Sequence, residues 1–277
     1  MKHIMLPAGP RIPVLGLGTW NIGNDPTRRT EEIAALRLGI DLGMTLIDTA
    51  EMYGEGQSEE LVGEAIQGRR DQVFLVTKVY PHNASRKGIP AACERSLRRL
   101  GADRIDLYLL HWRGSMPVSE TLDAFAKLQA EGKIQGFGVS NFDITDLEEC
   151  CNLTHGREIQ TDQVLYNLGR RSVEHNLLPW CRSQTMPVMA YSPVEHGRLL
   201  AQEKLQKFAS SRSLTPAQIA LAWLLAQEGV IAIPKAGTPK HVEENRKAMD
   251  VKLDVDDLRE LDRLFPRPKE PKPLEML

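Results

Sequence analysis

Short apolar runs alternate with amphipathic stretches along this chain, eight times over, and few folds accommodate that rhythm. Strands are expected at residues 14–18, 45–47, 73–77, 105–110, 136–139, 161–165, 188–190 and 230–233, with helical spacing at 29–42, 59–66, 90–100, 119–131, 144–153, 173–183, 216–228 and 239–249. The repeat is roughly thirty residues, the length of one strand–helix–strand unit. Runs such as Leu107–Leu110 are apolar at every position, as expected of parallel strands covered on both faces. The expected fold is therefore α/β, a (β/α)8 TIM barrel forming one domain over 1–277. An N-terminal β-hairpin around 7–13 and extra helices at 199–211 and 254–265 fall outside the repeat, and 266–277 reads as an irregular tail. Thr27 or Thr30 is the expected cap of the first helix.

An open dinucleotide-binding sheet is the rival, because Gly16-Leu17-Gly18 follows a strand. The third glycine of that fingerprint would fall at Asn21, and after Gly136-x-Gly138 at Asn141, so the pattern fails twice. A net charge of −2 with interspersed signs gives no basic face for nucleic acid or membrane. Pro7 and Pro10 interrupt the start before a signal-peptide core could form, so a cytoplasmic protein is expected. Cys93, Cys150, Cys151 and Cys181 lack metal-site spacing and read as small buried hydrophobes, and no metal is expected.

Three successive apolar runs end on an ionisable residue: 46–47 at Asp48, 74–77 at Lys78, and 107–110 at His111. Burying such groups is costly unless they are paired or used. In a barrel all three open on one mouth, on strands about 4.8 Å apart. Tyr53, a turn beyond Asp48, can lean over the same place. Singly, Asp48 reads as well as a turn cap, Lys78 as a solvated strand end, His111 as a core histidine and Tyr53 as a loop residue. Their common placement favours one site.

The chain resembles the aldo-keto reductases over nearly its whole length. The residues that carry the likeness are Gly18-Thr19-Trp20, Asp48-Thr49-Ala50-Glu51-Met52-Tyr53-Gly54, Lys78, Leu109-Leu110-His111-Trp112, Gly138-Val139-Ser140-Asn141-Phe142, Gln163, Ala190-Tyr191-Ser192-Pro193, and Ile233-Pro234-Lys235 leading to Glu244-Asn245. Within the family it is most similar to small bacterial reductases of methylglyoxal and other short aldehydes. The resemblance implies a catalytic tetrad of Asp48, Tyr53, Lys78 and His111, with Tyr53 as proton donor in hydride transfer from nicotinamide. It also implies a nicotinamide subsite of Gly18, Thr19, Asp48, Ser140, Asn141, Gln163 and Tyr191, with Ser192, Pro193 and Val194 beside the pyrophosphate. Lys235, Thr238, His241, Glu244 and Asn245 would hold the adenosine end. His241 stands where many members have an arginine, so NADPH is expected with a reduced preference over NADH. Trp20, Met52, Tyr80 and Trp112 would wall an open pocket for small carbonyl substrates, little covered by the short loop 113–117 or the brief tail. Other readings are a non-catalytic cofactor-binding subunit or a lyase using Lys78 as a Schiff-base amine. Nothing in the sequence demands an obligate interface, and a monomer is expected.

Overall fold

The computed structural model describes all 277 residues and forms the expected barrel. A two-stranded hairpin, β1 (His3–Met5) and β2 (Arg11–Pro13), precedes eight parallel strands. These are β3 (Leu17–Gly18), β4 (Leu46–Asp48), β5 (Phe74–Val79), β6 (Ile105–Leu110), β7 (Ile134–Ser140), β8 (Asp162–Leu165), β9 (Val188–Tyr191) and β10 (Val230–Ala232), each paired with the next. Closure comes from bridges between Leu15 and Ala232 and between Gly18 and Lys235. Gly18 is needed at that seam, because a Cβ there would lie 2.6 Å from the Ile233 carbonyl oxygen.

Around the barrel lie α1 (Arg29–Asp41), α2 (Gln57–Ile66), α3 (Gly88–Leu100), α4 (Val118–Ala130), α5 (Ile144–Cys151), α6 (Leu177–Ser183), α7 (Glu203–Ser211), α8 (Pro216–Leu225), α9 (Pro239–Lys247) and α10 (Val255–Leu264). The extra helices are α7 and α10. Reciprocal side-chain caps start α5 (Asp143 with Asp146), α8 (Thr215 with Gln218) and α10 (Asp254 with Asp257), each filling otherwise unpaired amides. Neither Thr27 nor Thr30 caps α1. Asp25 instead accepts from the Thr27 amide at 2.9 Å and caps a preceding 3-10 turn, because Pro26 favours a helix start there. The expected helix at 173–183 is likewise broken, into a 3-10 turn at Ser172–Glu174 and α6.

Two apolar cores result. The larger lies between barrel and helices and takes in Cys93, Cys150 and Cys181, which are free and buried. The smaller fills the barrel: Leu46, Val76, Leu107, Leu109, Met189, Ile231 and Ile233, with Leu6 and Ile12 of the hairpin. Side chains alternate along a strand, so a step of two residues from this inner set toward the mouth leads from Leu46 to Asp48, Val76 to Lys78, Leu109 to His111 and Met189 to Tyr191. The barrel is packed with hydrocarbon below and lined with reactive groups above. No helix is long and apolar enough to cross a membrane.

Candidate active site

Lys78 is the centre of the polar layer. Its side chain has no exposed surface, and Nζ donates to Asp48 Oδ2 at 2.8 Å, the Thr49 carbonyl at 2.8 Å and Tyr53 Oη at 3.1 Å. Three acceptors satisfy the three donors of an ammonium. Burial works against its charge, but Asp48 and Tyr53 outweigh that and hold the pKa above the ordinary lysine value. A Schiff-base lysine needs a free amine, so this environment opposes the lyase reading.

Asp48 is held from its other side by Gln163, whose Nε2 donates to Oδ1 at 2.8 Å. Tyr53 stands at the head of a 3-10 turn in which Gly54 and Glu55 adopt left-handed φ of 56° and 55°. Burial raises the phenol's pKa; Lys78 opposes this, Asp48 adds to it, and the net shift is upward. The hydroxyl thus keeps its proton at neutral pH, next to a cation that would stabilise the phenolate left by proton transfer. The His111 ring lies edge-on to Tyr53, centroids 5.7 Å apart. Burial, then the Lys78 charge, holds its pKa well below the ordinary histidine value. Nδ1 is buried without a partner. A proton there would be an unsatisfied donor, so we assign it to Nε2 of a neutral ring.

A pH profile follows. Reduction at saturating substrate should run level between about pH 6 and 8, without the step an ordinary histidine would give near 6.5; a single ionisation in that window traced to His111 would contradict the assignment. The unfolded chain binds the His111 proton more readily than the folded one, so this residue's contribution to stability declines as pH falls below about 6.5.

Beside the tetrad, Ser140 Oγ donates to the Gln163 carbonyl at 2.7 Å, Asn141 Nδ2 to the His111 carbonyl at 3.1 Å, and the Tyr191 hydroxyl to Asn141 Oδ1 at 3.0 Å. Asn141 takes a left-handed φ of 59°, which asparagine tolerates better than most residues. These residues form one connected wall. Thr19 is different: its hydroxyl donates to the Asp48 carbonyl at 3.0 Å and lies 3.1 Å from Ser58 Oγ, so it fixes the strand ends and has little left for a ligand.

Trp20 and Trp112 pack on different partners. Trp112 packs on His111 and, edge-on, against Tyr80, whereas Trp20 stacks on His196 with centroids 4.5 Å apart. His196 lies on the turn after β9, where Ser192, Glu195 and His196 all have positive φ. That turn is clamped by Arg170, which bonds Glu195 at 2.7 Å and Glu275 at 2.8 Å. The tail, irregular as expected, is tied to that turn through the Arg170–Glu275 pair.

Next to β9, Lys235 follows β10, Thr238 caps α9 by accepting from the His241 amide at 3.3 Å, His241 is exposed and Asn245 buried. The Lys235 ammonium has neither a hydrogen-bond nor a carboxylate partner; crowding lowers its pKa, as does the charge of Arg28, and Glu32 works against both. An unpartnered cation beside a helix N-terminus suits a phosphate group.

The sequence model described as the aldo/keto reductase family matches residues 14–265. The chain belongs to this family. It is 48% identical over 281 residues to methylglyoxal reductase YeaE of Escherichia coli strain K12, covering 100% of this chain and 99% of that relative. It is 33% identical to glyoxal reductase of Bacillus subtilis strain 168, covering 94% and 92% of the two chains. An aldo/keto reductase from Klebsiella pneumoniae, solved in complex with NADP and acetate, superposes with a TM-score of 0.97 at 47% identity, covering 100% of this chain and 99% of the other.

Proposed function

We propose that this aldo/keto reductase reduces small aldehydes of the methylglyoxal type to alcohols with NADPH. The observation that carries the reading is the Tyr53 hydroxyl 3.1 Å from an ammonium that Asp48 holds in place at 2.8 Å. The relatives' activities and the NADP-bound neighbour support it. When bound, NADPH supplies a hydride to the carbonyl carbon. His111 Nε2 donates a hydrogen bond that orients the carbonyl oxygen. Tyr53 gives its proton to that oxygen as charge develops there; an alkoxide is a far stronger base than a phenolate, so the transfer is downhill despite the raised pKa. Lys78 stabilises the phenolate, and Asp48 keeps Lys78 charged and aimed.

Tyr191, Asn141, Ser140 and Gln163 would hold the nicotinamide, Ser192, Pro193 and Val194 the pyrophosphate, and Lys235, Thr238, His241, Glu244 and Asn245 the adenosine end. Gly18 would let the cofactor approach the barrel seam, and Trp112, Tyr80, Met52 and Trp20 would line the substrate approach. Mixing protein, NADPH and methylglyoxal and following nicotinamide absorbance tests the reading; no turnover with this or several other short aldehydes would overturn it. His241→Arg is expected to tighten NADPH several-fold and leave NADH unchanged, read from binding titrations. Equal gains for both cofactors would contradict that placement.

A further inference from the structure

The cofactor motifs place Lys235 at the adenosine end but say nothing of the loop before α1, 207 positions away in sequence. In the fold the two meet at Gly237. A Cβ built there would lie 3.1 Å from Arg28 Nη2, 3.2 Å from Lys235 Nζ and 3.5 Å from Glu32 Oε1. Arg28 Nη2 donates to the Gly237 carbonyl at 3.4 Å, so its guanidinium is anchored to the very turn that carries Lys235 and the Thr238 cap.

Lys235 is exposed and the Arg28 side chain 40% exposed, so water screens part of their repulsion, and an anion bound between them would relieve the rest. Glu32 is 1% exposed, and one of its oxygens is already taken by the Gly23 amide at 2.9 Å. The other stands 3.8 Å from Arg28 Nη1, beyond hydrogen-bond distance. Glu31 lies 3.8 Å from Arg28 Nη2 but is half exposed, and a long surface pair of that kind contributes little. One buried carboxylate thus serves two cations, and Lys235 has no direct partner. The cluster carries more positive than negative charge, and it lies at the proposed adenosine end, where NADPH differs from NADH by a 2′-phosphate.

We infer that Arg28 is a second cation for the cofactor's 2′-phosphate, reaching it from the α1 side. This rests on the NADPH reading and deepens it. Arginine suits the task, since its fork can bind phosphate oxygens in pairs whereas Lys235 offers a point charge. It also gives the site a guanidinium although the first turn of α9 carries His241. Glu32 becomes a positioning residue, holding both cations over Gly237 and touching no ligand.

The test is binding without aldehyde, so it stands apart from turnover. Titrate NADPH and NADH into the native protein and Arg28→Ala by fluorescence or calorimetry. The expected result is roughly tenfold weaker NADPH, about 1.4 kcal/mol, with NADH unchanged, a shallower salt dependence for NADPH, and partial recovery in Arg28→Lys. An equal loss for both cofactors, no loss for NADPH, or a native protein that does not prefer NADPH would overturn the inference. Thermal unfolding of Arg28→Ala close to native is expected and separates a binding loss from a folding defect. A protein that binds NADPH selectively through Arg28 yet reduces no aldehyde would sink the substrate reading and leave this one standing.

Discussion

Replacing Tyr53 with phenylalanine is expected to lower kcat for aldehyde reduction by roughly 10²–10⁴-fold, with NADPH affinity nearly unchanged. The change removes one oxygen. That oxygen accepts from Lys78 Nζ at 3.1 Å, so the proton it gives up leaves a phenolate directly beside a cation. Phenylalanine keeps the ring beside His111 and beneath the Lys78 ammonium, which lies 4.8 Å from the ring centroid, so packing should survive. The orphaned donor on Lys78 is the cost, and it retains Asp48 and the Thr49 carbonyl. Single-turnover reduction with prebound NADPH, together with a binding titration, separates chemistry from affinity. A mutant with near-native kcat would remove Tyr53 from the reaction, whatever the geometry suggests.

The site was legible where burial and periodicity say the same thing. Asp48, Lys78 and His111 each end an apolar run two residues beyond a barrel-filling leucine or valine, and alternation alone sends them to the mouth. The barrel was legible for the same reason, since Leu107–Leu110 are apolar on both faces and only a covered parallel strand wants that. What escaped reading was contact between distant loops. Arg28 precedes Glu31 and Glu32 by three and four residues and reads as a helix-end ion pair; its convergence with Lys235 exists only after β3 and β10 close the barrel. The stack of Trp20 on His196 is of this kind, and so is the Arg170 link from Glu195 to Glu275. No local pattern encodes such pairs. Glu51 shows the intermediate case: it sits inside the motif that carries Asp48 and Tyr53, but its task, accepting from the Tyr80 amide at 2.7 Å and Asn83 Nδ2 at 2.9 Å, appears only when the β4 and β5 loops are side by side.

Asp48→Asn should harm folding and chemistry together, and a second mutation should pull the two apart. The Asp48–Lys78 pair is 3% and 0% exposed, so neutralising Asp48 leaves a buried ammonium with neutral acceptors only. Breaking such a pair costs roughly 3–5 kcal/mol, which for a chain of this size lowers Tm on the order of 10 °C. kcat should fall as well, because Lys78 either loses its proton or loses its aim at Tyr53. If the stability loss comes from the stranded charge, removing that charge should reverse it: the double variant Asp48→Asn with Lys78→Met buries no ion and should regain most of the lost Tm. It should regain no activity, since the phenolate then has no cation beside it. Thermal unfolding and kcat measured on the two single variants and the double decide the matter. A double variant as unstable as Asp48→Asn would mean that the carboxylate's hydrogen bonds, above all the one from Gln163, and not the uncompensated charge, hold this layer of the barrel together.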